Sequence, residues 1–462
     1  MDFTHMLDRR ALLRAGLCGA AGLALCGGPR GVRADEPSGA EAGVRPPHFA
    51  PKATSVIWLF MEGGPSAVDL FDPKPELERR DGQRVAGIQT HFGNPGPLLK
   101  SPFTFAQHGQ SGHWVCDRYP TLAGCVDDLA LIKSVWAESP NHAPAMFQMN
   151  TGIIRPGFPS AGAWVTYGLG SRNRDFPGFV VLGGGVMKGG ALNWGNGFLP
   201  SSYQGTLLRT QGQPILDLAL PSDVDAASQR ALLELAGTLN QRHLAAHAND
   251  SELAGRAQSF ALAARMEQAA PGILDLAGED AGTRALYGLD RNAGTSLFGT
   301  KCLLARRMVE RGVRFVQVYS NDEWDAHGDI KANHSDRCRE TDVPIAGLIN
   351  DLKRRGLFDS TLIVWGGEFG RMPVSEGGKG RDHNPQGFLM WMAGAGIKGG
   401  SSHGETDEIG LKAAVDPVSV HDVHATILHL LGIDHQRLTY AHNGRSYRLT
   451  DTAGTVIRSI LA

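Results

Sequence analysis

Residues 360–384 read STLIVWGGEFGRMPVSEGGKGRDHN. The short run Thr361-Leu362-Ile363-Val364-Trp365 is apolar without alternation, the pattern of a strand buried on both faces. Such a strand belongs to a sheet covered by helices on either side. The run stops at Gly366-Gly367 and Glu368 follows at once. A carboxylate at the C-terminal end of a buried strand sits where open α/β sheets place their ligands. A glycine- and lysine-rich loop then delivers Arg381-Asp382-His383-Asn384. Carboxylate and imidazole brought together in this way suit a divalent cation. Glu368 alone reads equally well as a salt-bridge partner beside a turn.

The same arrangement recurs along the chain. Ser55-Val56-Ile57-Trp58-Leu59-Phe60-Met61 is an apolar strand ending in Glu62-Gly63-Gly64-Pro65-Ser66. Glycines there let the backbone turn sharply toward a ligand. Residues 129–136, 179–182, 313–319 and 388–393 give further strands. Helical patterns cover residues 297–311, closed by Gly312, and 336–356, where Pro344 marks a kink or the start of the regular part. From Asp223 to about Met266 an Ala- and Leu-rich stretch has helical spacing, so a helical insertion is expected over about 222–292. Together these predict an α/β fold with a mostly parallel sheet between helices.

Several strand ends carry chemistry. Past the strand at 313–319 comes Trp324-Asp325-Ala326-His327. Asp325 and His327, two apart on an extended loop, can reach one ion, and a structural pair in a turn is the alternative. After the strand at 129–136, Asn141 and His142 stand at a strand-to-helix junction whose free backbone N–H groups favour an anion. His142 therefore faces a substrate oxyanion or a metal, or it caps the helix. Asp69 and Asp72 are ligands or hold their loop by hydrogen bonds to nearby amides. Ser66 lacks a Gly-x-Ser-x-Gly elbow and reads as a helix cap rather than a nucleophile. His421, His424, His429 and His435 sit among leucines and read as packing.

The chain has 462 residues and a formal net charge of -2 with mixed signs, which leaves no electrostatic footprint for nucleic acid. Its 60 glycines and 25 prolines point to long loops. Arg9-Arg10, a small apolar stretch and Gly31-Val32-Arg33-Ala34 form a twin-arginine export signal over residues 1–34. Arg14 interrupts the apolar run, so no stable membrane span is expected. A Pro-, Gly- and Ala-rich linker covers 35–54, and the folded domain occupies 55–462. The expected location is the periplasm or the exterior, with the twin-arginine translocase as partner during export. In an oxidising compartment Cys116 and Cys125 could pair, whereas Cys302 reads as a buried small residue.

With these pieces assembled, the chain resembles the DUF1501 family, grouped with the alkaline-phosphatase-like superfamily that includes sulfatases. The resemblance rests on GGPSAVDLFDPKP, GTKCLLARRMVERGVRFVQV, WDAHGD, GRDHNPQGF, HGETDEIG and HDVHATILHLLGIDH. It implies a three-layer alkaline-phosphatase-like core. DLKRRGLFDSTLIVWGGEFG is similar to the sulfatase segment ending in strand-Asp-His-Gly, with Glu368 in the Asp position and Phe369 in the His position. NHAPAMFQMNTG is similar to the nucleophile helix, which puts His142 where Ser, Thr or a formylglycine-forming Cys is expected. Glu62 falls where the first metal Asp usually stands, with Asp69 as its rival. Asp325, His327 and His383 match superfamily ligand types. The loss of a His ligand to Phe369 suggests one metal site rather than two. The resemblance thus implies an exported hydrolase of a phosphate or sulfate ester that uses a divalent ion (Zn, Mn, Ca or Mg) held by Asp325, His327, Glu368 and His383. His142 would orient substrate or act as acid/base, and Arg371 and Arg381 would grip an anionic group by forked hydrogen bonds. The substrate would be an anionic small molecule or a polysaccharide ester. A non-catalytic exported binding protein on the same fold is the alternative.

Overall fold

A computed structural model describes residues 44–183, 187–210, 224–247 and 250–462. The expected export signal over residues 1–34 lies outside the described residues, as does the first part of the expected linker. From Val44 onward the chain is tied to the body: Arg45 donates to the Tyr167 carbonyl at 2.8 Å, and the Lys52 and Ala53 amides both donate to the Leu430 carbonyl.

The apolar runs assemble into a nine-stranded sheet. Its order is Ser402–His403, Leu129–Trp136, Phe388–Ala393, Thr361–Gly366, Ser55–Phe60, Phe315–Tyr319, Phe179–Gly183 and Thr206–Arg209, with Val418–Ser419 pairing with Leu129–Trp136. Pairing is parallel except around Phe388–Ala393, which runs antiparallel to both neighbours. The sheet is therefore mixed and mostly parallel.

Period-two geometry sends the first strand's side chains into two separate cores. Ile57 and Leu59 join Phe298, Cys302, Leu303, Ile345 and Leu348 from the helices Ala293–Glu310 and Ile330–Arg354. Val56, Trp58 and Phe60 join Met146, Met149, Trp164, Val423 and Ile427 from the helices His142–Thr151, Ala161–Leu169 and Val420–Leu430. Helices thus cover both faces, which explains why the central strands read as continuous apolar runs.

Local details follow from residue chemistry. Pro344 lies inside the helix Ile330–Arg354, which starts earlier than its apolar pattern indicates because Asp329 caps it through the Ala332 amide. The helix Val420–Leu430 is capped by Ser419 with Asp422 in a reciprocal capping box. His424 is buried there and donates from Nε2 to the Met149 carbonyl at 2.8 Å. The expected insertion contains the helices Ala226–Ala246, Ser251–Leu274 and Ala281–Leu286. It is tethered to the body by Glu279, which accepts from Arg306 and Arg307. Cys116, Cys125, Cys302 and Cys338 are all free, so the expected Cys116–Cys125 pairing is not made. No helix among the described residues is long and apolar enough to cross a membrane.

Candidate metal centre

Three parallel strands end level: Phe60 is in register with Tyr319 on one side and Gly366 on the other. The loops leaving them carry Glu62, then Asp325 with His327, then Glu368. Gly63 lets the first loop press against the second. It has φ +105°, and a Cβ there would stand 2.5 Å from the Trp324 nitrogen. The Trp324 amide donates to the Glu62 carbonyl at 2.7 Å, and the Gly63 amide to Glu368 Oε1 at 2.9 Å.

His383 arrives from a different direction. The strands Gly370–Glu376 and Gly380–Asn384 form an antiparallel hairpin with an irregularity between Arg381 and His383. This hairpin folds back over the strand ends. Gly380 is its point of closest approach, where a Cβ would lie 1.7 Å from the His327 carbonyl oxygen.

The two imidazoles are oriented from behind. His327 Nδ1 lies 2.5 Å from Glu376 Oε2, and His383 Nδ1 lies 2.7 Å from the Pro140 carbonyl oxygen. Each Nδ1 therefore carries its ring's proton, and each Nε2 presents a lone pair. Those Nε2 atoms are 2.9 Å apart, and Asp325 Oδ1 lies 3.0 Å from one and 3.2 Å from the other. Three electron-rich atoms in mutual contact need a positive centre between them. A cation with bonds of about 2.1 Å sets neighbouring ligand atoms about 3.0–3.4 Å apart, so the spacing fits. Without a cation, one proton must serve instead. The bond to Asp325 raises the His327 pKa against the effect of burial, whereas burial, helped by the Arg371 charge, pushes His383 down to about 4.

His142 joins this cluster to a second pair of carboxylates. Its Nδ1 is 2.6 Å from Glu368 Oε1 and its Nε2 is 3.1 Å from Asp325 Oδ2. Both nitrogens face acceptors, so both are donors in a charged ring. Burial alone would lower the His142 pKa, but the bonds to Asp325 and Glu368 and the charges of both outweigh it and raise the value to about 8. Asp325 is held well below the ordinary carboxylate range. Burial opposes this, but bonds from His142, His327 and His383 and the Arg371 charge prevail. Glu62 accepts from the Lys188 amide at 2.8 Å, and burial, with Glu368 nearby, raises its pKa to about 7.

The residues expected from the sequence divide into two groups. Asp325, His327 and His383 converge, and Glu368 reaches them through His142 rather than lying among them. His142, Asp325 and His383 form one group able to hold a metal, and His327, Asp382 and His383 form another. Asp382 is the less available ligand, because it accepts from the His91, Phe92 and His383 amides. Asp69, the rival to Glu62, is spent on a fully buried pair with Arg381 at 2.7 Å and on the Ser66 hydroxyl at 2.5 Å. Ser66 stands at the N-cap position of the short helix Ala67–Leu70.

The expected anion grip of Arg371 and Arg381 needs correction. Arg371 bonds the Gly63, Gly64 and Arg381 carbonyls and Asp325 Oδ1. Arg381 bonds both Asp69 oxygens and the Met372 and Leu99 carbonyls. Every guanidinium nitrogen is committed inside the protein, so neither side chain is free to clasp a ligand. Lys188 is the partly exposed cation at this edge, 3.3 Å from Asp325 Oδ2 and 2.8 Å from Glu323. Sequence reasoning passed over Lys188, although its Gly-rich surroundings follow a strand end. Glu376 and the Pro140 carbonyl left no signal, since their roles arise only when the hairpin folds back. Phe369 packs on the His142 and His383 rings at 4.8 and 4.5 Å between centroids. Phe92, 42% exposed, stands edge-on to His327 and His383.

A mixed α/β sheet with a cation-ready cluster at its strand ends is the class of protein defined here. The chain belongs to the family described as "Protein of unknown function (DUF1501)", whose model matches residues 53–461. Among curated proteins, none matches the chain by sequence. Similar solved structures include the lipoteichoic acid synthase LtaP from Listeria monocytogenes, with 10% identity and a TM-score of 0.39 over 91% of this chain and 80% of that one. The alkaline phosphatase of the Antarctic bacterium TAB5 is 10% identical, with a TM-score of 0.34 over 78% and 96% of the two chains. The PsFucS1 sulfatase from Pseudoalteromonas sp. is 14% identical, with a TM-score of 0.36 over 85% and 73%. At such distances no reaction transfers, and the chemistry must come from the residues present.

Proposed function

We propose that the protein is an exported hydrolase of a phosphate or sulfate ester that works with one divalent cation held by Asp325, His327 and His383. The observation carrying this reading is the meeting of two Nε2 lone pairs and one carboxylate oxygen within 2.9–3.2 Å, with both Nδ1 protons already placed elsewhere. Two imidazoles and a carboxylate suit zinc, whereas calcium and magnesium prefer all-oxygen sets. When bound, the cation would supply Lewis acidity and acidify a water ligand.

The chain's own groups would do the rest. Glu376 and the Pro140 carbonyl orient the two rings. Lys188 places its ammonium group where an anionic ester would approach, the task expected of the two buried arginines. His142, charged and at the amino end of its helix, would turn the Nε2 proton that it gives to Asp325 Oδ2 toward a leaving oxygen. Glu62, whose pKa burial raises to about 7, would be the candidate group for exchanging a proton.

The test is metal content and turnover together. Purified protein should carry about one zinc and hydrolyse aryl phosphates, phosphodiesters or aryl sulfates, and His383→Ala should lose both properties. A metal-free wild-type protein would end the proposal. The absence of a hydroxyl or thiol at position 142 favours a second reading, a cation-dependent binding protein without turnover. Stoichiometric metal with no hydrolysis of any of these esters would select it.

A further inference from the structure

We infer that a cleft at the far end of the helix His142–Thr151 binds an acidic sugar unit. The helix has ten residues, so at about 1.5 Å per residue this cleft opens about 15 Å from His142. Four segments meet there: Thr151 at the end of the helix with Arg155 and Phe158 beyond it, Trp164 on the next helix, Phe198 from a loop, and Arg445, Tyr447, Arg448 and Asp451 near the C-terminus. The enclosed space is about 50 Å³, room for one charged group and the ring edge that bears it, and the cleft is open on one side.

The floor is aromatic. Phe198 lies 4.8 Å from Tyr447, 6.0 Å from Phe158 and 6.2 Å from Trp164 between ring centroids. The walls are cationic, with three arginines against one carboxylate. Asp451 engages Arg445 through its side chain and Arg448 through its carbonyl. The Arg445 guanidinium also lies over the Tyr447 ring at 4.7 Å. Arg448 uses only Nε, which leaves its two terminal nitrogens free, and among the described residues Arg155 has no side-chain partner. Forked donors beside an aromatic floor select a ligand with a carboxylate or sulfate on a ring. A cleft of this size takes the acid group and the adjoining ring edge of one such unit, with the rest of the sugar lying in the open mouth. The net charge of -2 provides no wider attraction for a nucleic acid.

Titration calorimetry should report saturable binding of glucuronate and of glucose 6-sulfate, with the preferred acid group read from the two arms. Glucose and inorganic sulfate should each bind at least tenfold more weakly. Arg155→Ala, an exposed change that leaves the fold intact, should weaken acidic-sugar binding about tenfold, and adding Arg448→Ala should weaken it further. His383→Ala should leave it unchanged, because the cleft does not depend on the cation. Three results would each overturn the inference: no saturable binding of either acidic sugar, equal binding of glucose or inorganic sulfate, or full binding by a folded Arg155→Ala/Arg448→Ala protein.

Discussion

His327 and His383 meet through their Nε2 atoms at 2.9 Å, each ring pinned from behind by an acceptor that faces away from the other. Two neutral imidazoles do not choose this contact unaided. The contact therefore defines a place for positive charge, and the first prediction concerns what fills it. Zinc affinity should fall at least 100-fold in His383→Ala. In Glu376→Gln, which keeps an acceptor for His327 but removes its charge, it should fall about 10- to 100-fold. Competition with a chromophoric chelator measures both. Unchanged affinity in Glu376→Gln would show that the ring needs no charged support.

Arg381 supplies the second prediction. Its pair with Asp69 is fully buried, so Arg381→Ala would strand a carboxylate in the interior and cost about 3–5 kcal/mol of stability. Denaturant unfolding measures the loss. If the variant is instead stable but loses affinity for an anionic substrate, the guanidinium faces the ligand after all.

The third prediction concerns backbone rather than side chain. Gly63→Ala puts a Cβ at φ +105° against the Trp324 nitrogen, so the loop bearing Glu62 must move away from Asp325. The expected result is about 2–4 kcal/mol of destabilisation, from strain and overpacking together, with weakened metal binding. A native melting profile with full metal content would show that the loop yields freely.

Acid should destabilise the fold through two histidines that take no part in the Asp325–His327–His383 cluster. His334 and His424 are completely buried, and burial pushes each down to about 3. For His424 the local reason is plain: Nδ1 is buried with no partner among the described residues, so nothing would receive a second proton. The unfolded chain protonates both near pH 6.5 and the folded chain does not. Their contribution is therefore complete above pH 7 and lost as the pH falls from about 6.5 toward 3. The slope is about 2.7 kcal/mol per pH unit while both are protonated only in the unfolded chain. His424→Gln, which keeps a donor for the Met149 carbonyl, should remove about half of that slope. Urea midpoints at pH 5 and 7 measure it, and an unchanged slope would exclude His424.

The sheet was legible because strands covered on both faces must be apolar at nearly every position, and the runs at 55–61, 315–319, 361–366 and 388–393 are, with Gln317 the one polar residue inside them. The glycines closing the runs at 55–61 and 361–366 located the site edge, and Asp325, His327 and His383 followed as the residues that bind cations from such loops. Other features were hidden for physical reasons. An arginine beside a loop reads the same whether its donors meet a ligand or five backbone carbonyls, and for Arg371 and Arg381 the carbonyls won. The Pro140 carbonyl has no identity in sequence at all. Glu376 becomes a ring anchor only because its hairpin folds back against the His327 loop, which no periodicity reveals.

That hairpin has a consequence for how an ion would be acquired. The donors lie on segments separated by up to 58 residues, and one anchor, Pro140, is 243 residues from the ring it steadies. No early fragment of a nascent chain can assemble them. An ion bound there would therefore be captured only after the hairpin of Gly370–Glu376 and Gly380–Asn384 has folded over the strand ends, and holding it would report that closure.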